Sequence, residues 1–96
     1  MEQVSEPRDV VRDAVLDAFV RDGRLIAMPA KDSKRRVVLD SIAQAFEPGL
    51  RYREAEVNAV LRGFHDDFAM LRRYLVDYGL MDRDHGVYWR SGGTVV

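Results

Sequence analysis

The chain has 96 residues, with 15 Lys and Arg against 16 Asp and Glu, so its formal net charge is −1. This length supports one modest hydrophobic core and disfavours an enzyme with a cleft between two domains. The absence of cysteine excludes disulfides, thiolate metal ligands and thiol nucleophiles. No apolar run approaches the about 20 residues of a membrane span, so we expect a cytoplasmic protein with no membrane contact.

The first predicted helix covers residues 7–20, with Pro7 in its first turn. Its buried stripe is predicted from apolar residues at helical spacing, which are Val11, Ala14, Val15 and Ala18. Leu16 and Val20 fall on the opposite side of the helix. This second apolar face suggests a homodimer formed through the helix at 7–20.

A short strand and a second helix follow. The strand is predicted over residues 24–28, and it is a candidate third strand beside the β-hairpin predicted near the end of the chain. Asp32 or Ser33 is expected to cap the second helix, predicted over 34–46.

Two further helices are predicted over 53–63 and 66–78, and residues 50–52 are expected to link the first of them to the second helix. The tight connection between them favours a helix-turn-helix pair. Asp66 and Asp67 suit the positive N-terminal end of the fourth helix.

The hydrophobic period then changes from that of a helix to that of a strand. Two short runs, 80–83 and 87–90, flank a turn that contains Gly86, and this pattern predicts a β-hairpin.

We therefore expect one α+β domain over residues 1–96, with an extra N-terminal helix and a winged-helix-like core over 24–90. Mobile tails are predicted at 1–6 and 91–96. In winged-helix proteins that bind DNA, the last helix before the wing enters the major groove and the wing touches the backbone.

A set of motifs between residues 19 and 90 resembles a known bacterial family, the domain of unknown function numbered 2087. The motifs are Asp22-Gly23-Arg24-Leu25, Pro29-Ala30-Lys31, Lys34-Arg35, Tyr52-x-Glu54-x-Glu56-Val57-Asn58, His65-x-Asp67, Leu71-Arg72-Arg73-x-Leu75-Val76-Asp77, Gly79-Leu80-Met81-x-Arg83 and Gly86-x-Tyr88-Trp89. That family occurs alone or attached to helix-turn-helix regulators of the ArsR kind, so the resemblance implies transcriptional regulation without supplying an activity or ligand. Arg53 departs from it, since the family has a small hydroxyl residue there that would cap the third helix.

Seven basic residues are candidate contacts for double-stranded DNA. They are Lys31, Lys34, Arg35, Arg36, Arg72, Arg73 and Arg83. Arginine binds guanine or phosphate, and a helix N-terminus attracts phosphate. Asp66 and Asp77 share the face of the fourth helix that carries Arg73 and would repel phosphate. The alternative for the basic residues at 31–36 is internal ion pairing with Asp32, with Asp40 or with the acidic stretch at 54–67. Arg90 would extend the basic surface if the hairpin lay beside these residues.

Catalytic and metal-binding arrangements are not predicted. Glu54 and Glu56 are two residues apart on a helix and point about 200° from each other, so they cannot face one substrate. Residues His65, Asp66 and Asp67 are consecutive, whereas metal ligands converge from spaced positions. We expect no enzyme, no metal and no cofactor.

The sequence thus predicts a non-enzymatic DNA-binding or transcription-regulatory module. The alternative is a protein-interaction winged helix that docks on a regulator, a polymerase or a ribosomal partner.

Overall fold

The computed structural model describes residues 7–94. Within them the domain is α+β. The four helices are α1 (Pro7–Phe19), α2 (Asp32–Ala43), α3 (Glu54–Arg62) and α4 (Phe68–Asp77). The five strands are β1 (Val20–Arg21), β2 (Arg24–Leu25), β3 (Arg51–Arg53), β4 (Met81–Asp84) and β5 (Val87–Arg90). No helix in this part of the chain is long and apolar enough to cross a membrane.

The larger sheet has three antiparallel strands in the order β3-β5-β4. Its third strand is β3, so the prediction that residues 24–28 join the hairpin was wrong, and residues 50–52 are more than a linker. The reason is local, because β2 pairs with β1 across a turn in which Asp22 and Gly23 have φ of 52° and 76°. This two-residue turn closes a small hairpin before β2 can reach the other sheet.

The predicted β-hairpin at the end of the chain is confirmed. Strands β4 and β5 pair with Arg83 opposite Tyr88 and Asp84 opposite Val87. Between them His85 and Gly86 have φ of 49° and 77°, the left-handed conformation that a two-residue type I′ turn requires at both positions.

The ends of α2 differ from those predicted. Its N-cap position is Lys31, with no side-chain capping bond, so neither Asp32 nor Ser33 acts as the cap. The helix ends at Ala43 rather than at residue 46. The N–H of Phe46 hydrogen-bonds to the carbonyl of Ala43, three residues back instead of four, so the backbone forms a tighter turn there. This turn places the Phe46 ring fully in the core.

The start of α3 shows how the chain manages without a small hydroxyl cap at Arg53. The Glu56 carboxylate accepts a hydrogen bond from the backbone N–H of Arg53 at 2.9 Å. This bond, followed by that of the Arg53 side chain, lowers the pKa of Glu56. The carboxylate therefore supplies one half of a capping box.

Helix α4 has conventional capping at both ends. The Asp67 carboxylate accepts the N–H of Met70 at 3.1 Å, as predicted for the positive end of the helix. At the other end Gly79 has a φ of 71°, and the N–H of Leu80 bonds to the carbonyl of Leu75 at 2.9 Å. These features form a Schellman motif, which turns the chain into β4.

The core lies between the helices and the inner face of the three-stranded sheet. Its buried members are Val15, Leu25, Val38, Leu39, Ile42, Ala43, Phe46, Val57, Leu61, Leu71, Leu75, Met81 and Tyr88. Helix α1 is rotated relative to the prediction, because Leu16 and Val20 pack against this core while Ala14 and Ala18 are exposed. Burying Leu16 and Val20 removes more apolar surface from water than burying two alanines. Leu16 and Val20 therefore do not form the second, outward apolar face on which the predicted homodimer rested.

Arg90 does not extend a basic surface. It is only 9% exposed, and its guanidinium donates to the carbonyls of Ala43 and Phe46 at 3.1 and 2.9 Å. It also donates to the carbonyls of Gly92 and Thr94. Arg90 thus fastens β5 and the segment after it to the C-terminal end of α2.

Residues 91–94, for which the sequence predicts mobility, are held by hydrogen bonds: Ser91 and Gly92 bond to Leu80, and Thr94 bonds to α2. Both the N–H and the hydroxyl of Thr94 donate to the carboxylate of Asp40, at 2.7 and 2.9 Å. The predicted tail at 1–6 and the last two residues, 95–96, lie outside the described residues.

Candidate nucleic-acid interface

The seven basic residues predicted to contact DNA lie in two places. Lys31, Lys34, Arg35 and Arg36 sit at the N-terminal end of α2, and we call them the α2 cluster. Arg72, Arg73 and Arg83 line a cleft between α4 and the β4–β5 hairpin, which we call the α4–hairpin cleft.

Arg35 in the α2 cluster is held by its own fold. Its guanidinium donates to the carbonyls of Pro29 and Ala30 at 3.1 and 3.3 Å. Its central carbon lies 4.9 Å from the centre of the Tyr74 ring, within the range of a cation–π contact. This arginine joins the loop before α2 to α4.

Arg36 is engaged in the same way. It pairs with Asp32 at 3.0 Å and lies over the Tyr78 ring at 4.8 Å. The Tyr78 hydroxyl donates to Asp32 at 2.7 Å. Hydrogen bonds from Tyr78 and then from Arg36 lower the pKa of Asp32. Both arginines of the cluster thus have partners within the fold. Arg35 is half-buried, whereas Arg36, with 62% of its side chain accessible, is exposed like Lys31 and Lys34.

The α4–hairpin cleft has a volume of about 200 Å³. Its lining residues are Ala69, Arg72, Arg73, Val76 and Asp77 from α4, Arg83 from β4 and Tyr88 from β5. The Schellman turn at the end of α4 brings the hairpin back alongside the helix, so Arg73 and Arg83, ten residues apart in sequence, line the same cleft from α4 and from β4.

Arg72 is the fixed member of the cleft. Its side chain is 22% exposed, hydrogen-bonds to Asn58 on α3, and lies 3.8 Å from the carboxylate of Glu54. Glu54 also accepts a hydrogen bond from the hydroxyl of Tyr88 at 3.0 Å. This network ties α3, α4 and β5 together and sets the position of the Arg72 guanidinium.

Arg73 and Arg83 are the exposed members. Both lie on the open walls of the cleft. The Tyr88 hydroxyl, which faces Arg83 across the hairpin, raises the pKa of that guanidinium. Asp77 is the acidic residue of the lining, and the nearby Glu54 pairs with Arg72, so two carboxylates partly offset the three cations of the cleft.

Arg24, a residue far away in the sequence, holds the connection between α3 and α4. Arg24 on β2 donates to the carbonyls of Arg62 and Gly63 at 3.1 and 3.3 Å, and pairs with Asp66 at 2.9 Å. This ion pair offsets the Asp66 charge that was expected to repel phosphate. Nothing local in the sequence marks Arg24, because its partners are about 40 residues away along the chain.

His65 closes the turn between α3 and α4. Its Nδ1 accepts the N–H of Asp67 at 2.9 Å. Among the described residues, no group of three or more His, Asp and Glu side chains is placed to hold a metal ion.

Comparison with known proteins gives one match. Residues 24–90 match the model of a family described as "Uncharacterized protein conserved in bacteria (DUF2087)". No curated protein and no solved structure matches the chain significantly. Because the match covers well over half of the chain, from β2 to the end of β5, the protein belongs to this bacterial domain family.

Proposed function

We propose that the protein is a DNA-binding module of transcription regulation, in which α4 enters the major groove and the β4–β5 hairpin contacts the backbone. The observation that carries this proposal is the α4–hairpin cleft. It joins Arg72 and Arg73 of the helix to Arg83 of the hairpin on one open surface. Arginine is the side chain best suited to pair with phosphate or guanine in this setting.

The topology supports a winged-helix interpretation. Three helices, α2 to α4, precede the hairpin, and the strand between α2 and α3 forms the outer partner of β5. The tight α3–α4 connection matches a helix-turn-helix pair. In DNA complexes of such domains the helix in the position of α4 reads the groove and the hairpin acts as the wing.

The three arginines of the cleft differ in how firmly the fold holds them, and we expect their roles in binding to differ accordingly. Arg73 and Arg83 are exposed and can close on a phosphate from two sides. Arg72 is oriented by Asn58 and Glu54, so less side-chain freedom is lost when it binds. The site therefore supplies two adjustable cations and one positioned cation.

The test is fluorescence anisotropy of a labelled DNA duplex, titrated at about 50 and about 200 mM salt, where several phosphate contacts cost orders of magnitude in affinity. We expect salt-sensitive binding that weakens in Arg73→Ala and in Arg83→Ala, each with a salt slope reduced by about 1. Arg51→Ala is the matched control, since Arg51 lies over Trp89 on the outer face of the sheet. Affinity that depends on Arg51 as strongly as on Arg73 would contradict the proposal.

A protein-interaction module is the second candidate, and the mixed character of α4 favours it. The outer side of this helix presents Asp77 and the half-buried Met70 and Val76 beside Arg73. Acidic and apolar groups lower the attraction to phosphate but suit a protein surface. Absence of duplex binding at low salt would select this candidate over the first.

A further inference from the structure

An apolar strip runs along the outside of α1. Val10 and Val11 are 59% and 60% exposed, and Ala14 and Ala18 continue the same face toward the end of the helix. We call these four residues the α1 strip. Large exposed apolar side chains placed together at helical spacing are typical of an interaction surface.

The strip borders a groove of about 260 Å³ between α1 and the start of α2. Val15 and Phe19 line the groove together with three residues of the strip, and Lys34 forms its edge on the α2 side. Because Ala14 and Ala18 are small, the backbone of another helix can approach closely at this point.

The two edges of this surface carry opposite charges. Asp13 and Asp17 are exposed on the edge away from α2, and Lys34 is exposed on the edge next to α2. The ion pair of Arg12 with Asp40 lies at the other end of the α1–α2 contact. The two helices thus run in opposite directions, and Lys34 lies beside the part of α1 between Val11 and Phe19, which contains Asp17.

We propose that two copies of the chain form a two-fold dimer through the α1 strip, with the two α1 helices parallel. A two-fold axis parallel to α1 brings Lys34 of each copy against Asp17 of the other and packs the two strips together. An antiparallel pairing would instead place Lys34 against Lys34. Charge complementarity therefore selects both the occupant of the groove and its direction. This dimer does not rest on the proposed DNA binding.

The mass of the full chain, measured by sedimentation equilibrium from micromolar to millimolar concentration, tests the dimer. We expect a concentration-dependent shift from 11.0 kDa to twice that mass. Val11→Asp places a charge in the strip and is expected to keep the monomer mass throughout. Leu50→Asp is the matched control, because Leu50 is 48% exposed outside α1 and its replacement should leave the dimer intact. A far-UV circular dichroism melt of each variant checks that it folds.

A charge exchange tests the direction of pairing. Asp17→Lys and Lys34→Asp are each expected to weaken the dimer, and the double variant is expected to restore it. A monomer at every concentration, or a dimer that survives Val11→Asp, would overturn the proposal. A double variant as weak as the single ones would overturn the parallel arrangement.

Discussion

The two groups of basic residues have similar composition but different surroundings. In the α2 cluster, Arg35 and Arg36 lie over Tyr74 and Tyr78 and hydrogen-bond to nearby carbonyls or to Asp32. In the α4–hairpin cleft, two of the three arginines project from open walls.

The difference follows from the aromatic residues on α4. Tyr74 on α4 and Tyr78 at its C-cap lie on the side that faces the start of α2. Ala69 and Val76 lie on the side that faces the hairpin. A guanidinium that lies over an aromatic ring and hydrogen-bonds within the fold, as that of the half-buried Arg35 does, has less to offer a nucleic acid. Density of positive charge in a sequence is thus a poorer guide to a binding surface than the residues that face each cation.

Arg90 is the extreme case of an arginine used by the fold, and its replacement should have the largest effect. Arg90→Ala leaves the carbonyls of Ala43 and Phe46 without their donor, and we expect a loss of about 3 kcal/mol in the free energy of unfolding. Urea denaturation measures it. Arg73→Ala, in the open cleft, serves as the control and should change stability by less than about 0.5 kcal/mol. Equal losses of unfolding free energy in Arg90→Ala and Arg73→Ala would contradict the distinction between arginines that hold the fold and arginines exposed in the cleft.

Within the α2 cluster, Arg35 and Lys34 should behave differently. Arg35→Ala removes two hydrogen bonds to carbonyls and the contact with Tyr74, so the denaturation midpoint should fall, by less than in Arg90→Ala. At protein concentrations at which the chain is a monomer, Lys34→Ala, one position away and exposed, should leave the midpoint unchanged. In duplex binding, Arg35→Ala should have a smaller effect than Arg73→Ala, and the reverse order would contradict the assignment of the cleft.

The smallest effect concerns the pH dependence of the α2 cluster. Tyr78→Phe removes the hydrogen bond that most lowers the pKa of Asp32, so this pKa should rise toward its ordinary value of 3.8. Because the folded pKa is depressed, the stabilisation from Asp32 is present above 3.8 and is lost as pH falls through the folded value. The stability difference between the two proteins should therefore shrink in acid. Titration of the Asp32 carboxyl carbon by NMR measures the shift, and an unchanged pKa in the variant would show that Tyr78 does not hold this carboxylate.

Much of the fold could be predicted from local signals. Helix periodicity and the Asp67 cap predicted the position of α4, and Gly86 predicted the hairpin turn, because each of these signals depends on neighbours within a few residues. Strand β3 was missed because three residues carry no clear period.

The candidate site was predictable only in part. The sequence placed Arg72 and Arg73 on the fourth helix and Arg83 on the hairpin, but it could not show which cations the fold already uses. Arg90 and Arg24 hydrogen-bond to acceptors 47 and 42 residues away, in Ala43 and Asp66, and no spacing rule reaches that far. The rotation of α1 had the same origin, since the choice between its two apolar faces depends on the residues that pack against it.

The most direct test of the central claim is an NMR titration of the isotope-labelled protein with a DNA duplex at low salt. The account predicts amide shift changes concentrated on α4 and the β4–β5 hairpin, with Arg73 and Arg83 among the most affected. Shift changes concentrated at residues 31–36, or none at all, would contradict the assignment of the α4–hairpin cleft as the DNA-binding surface.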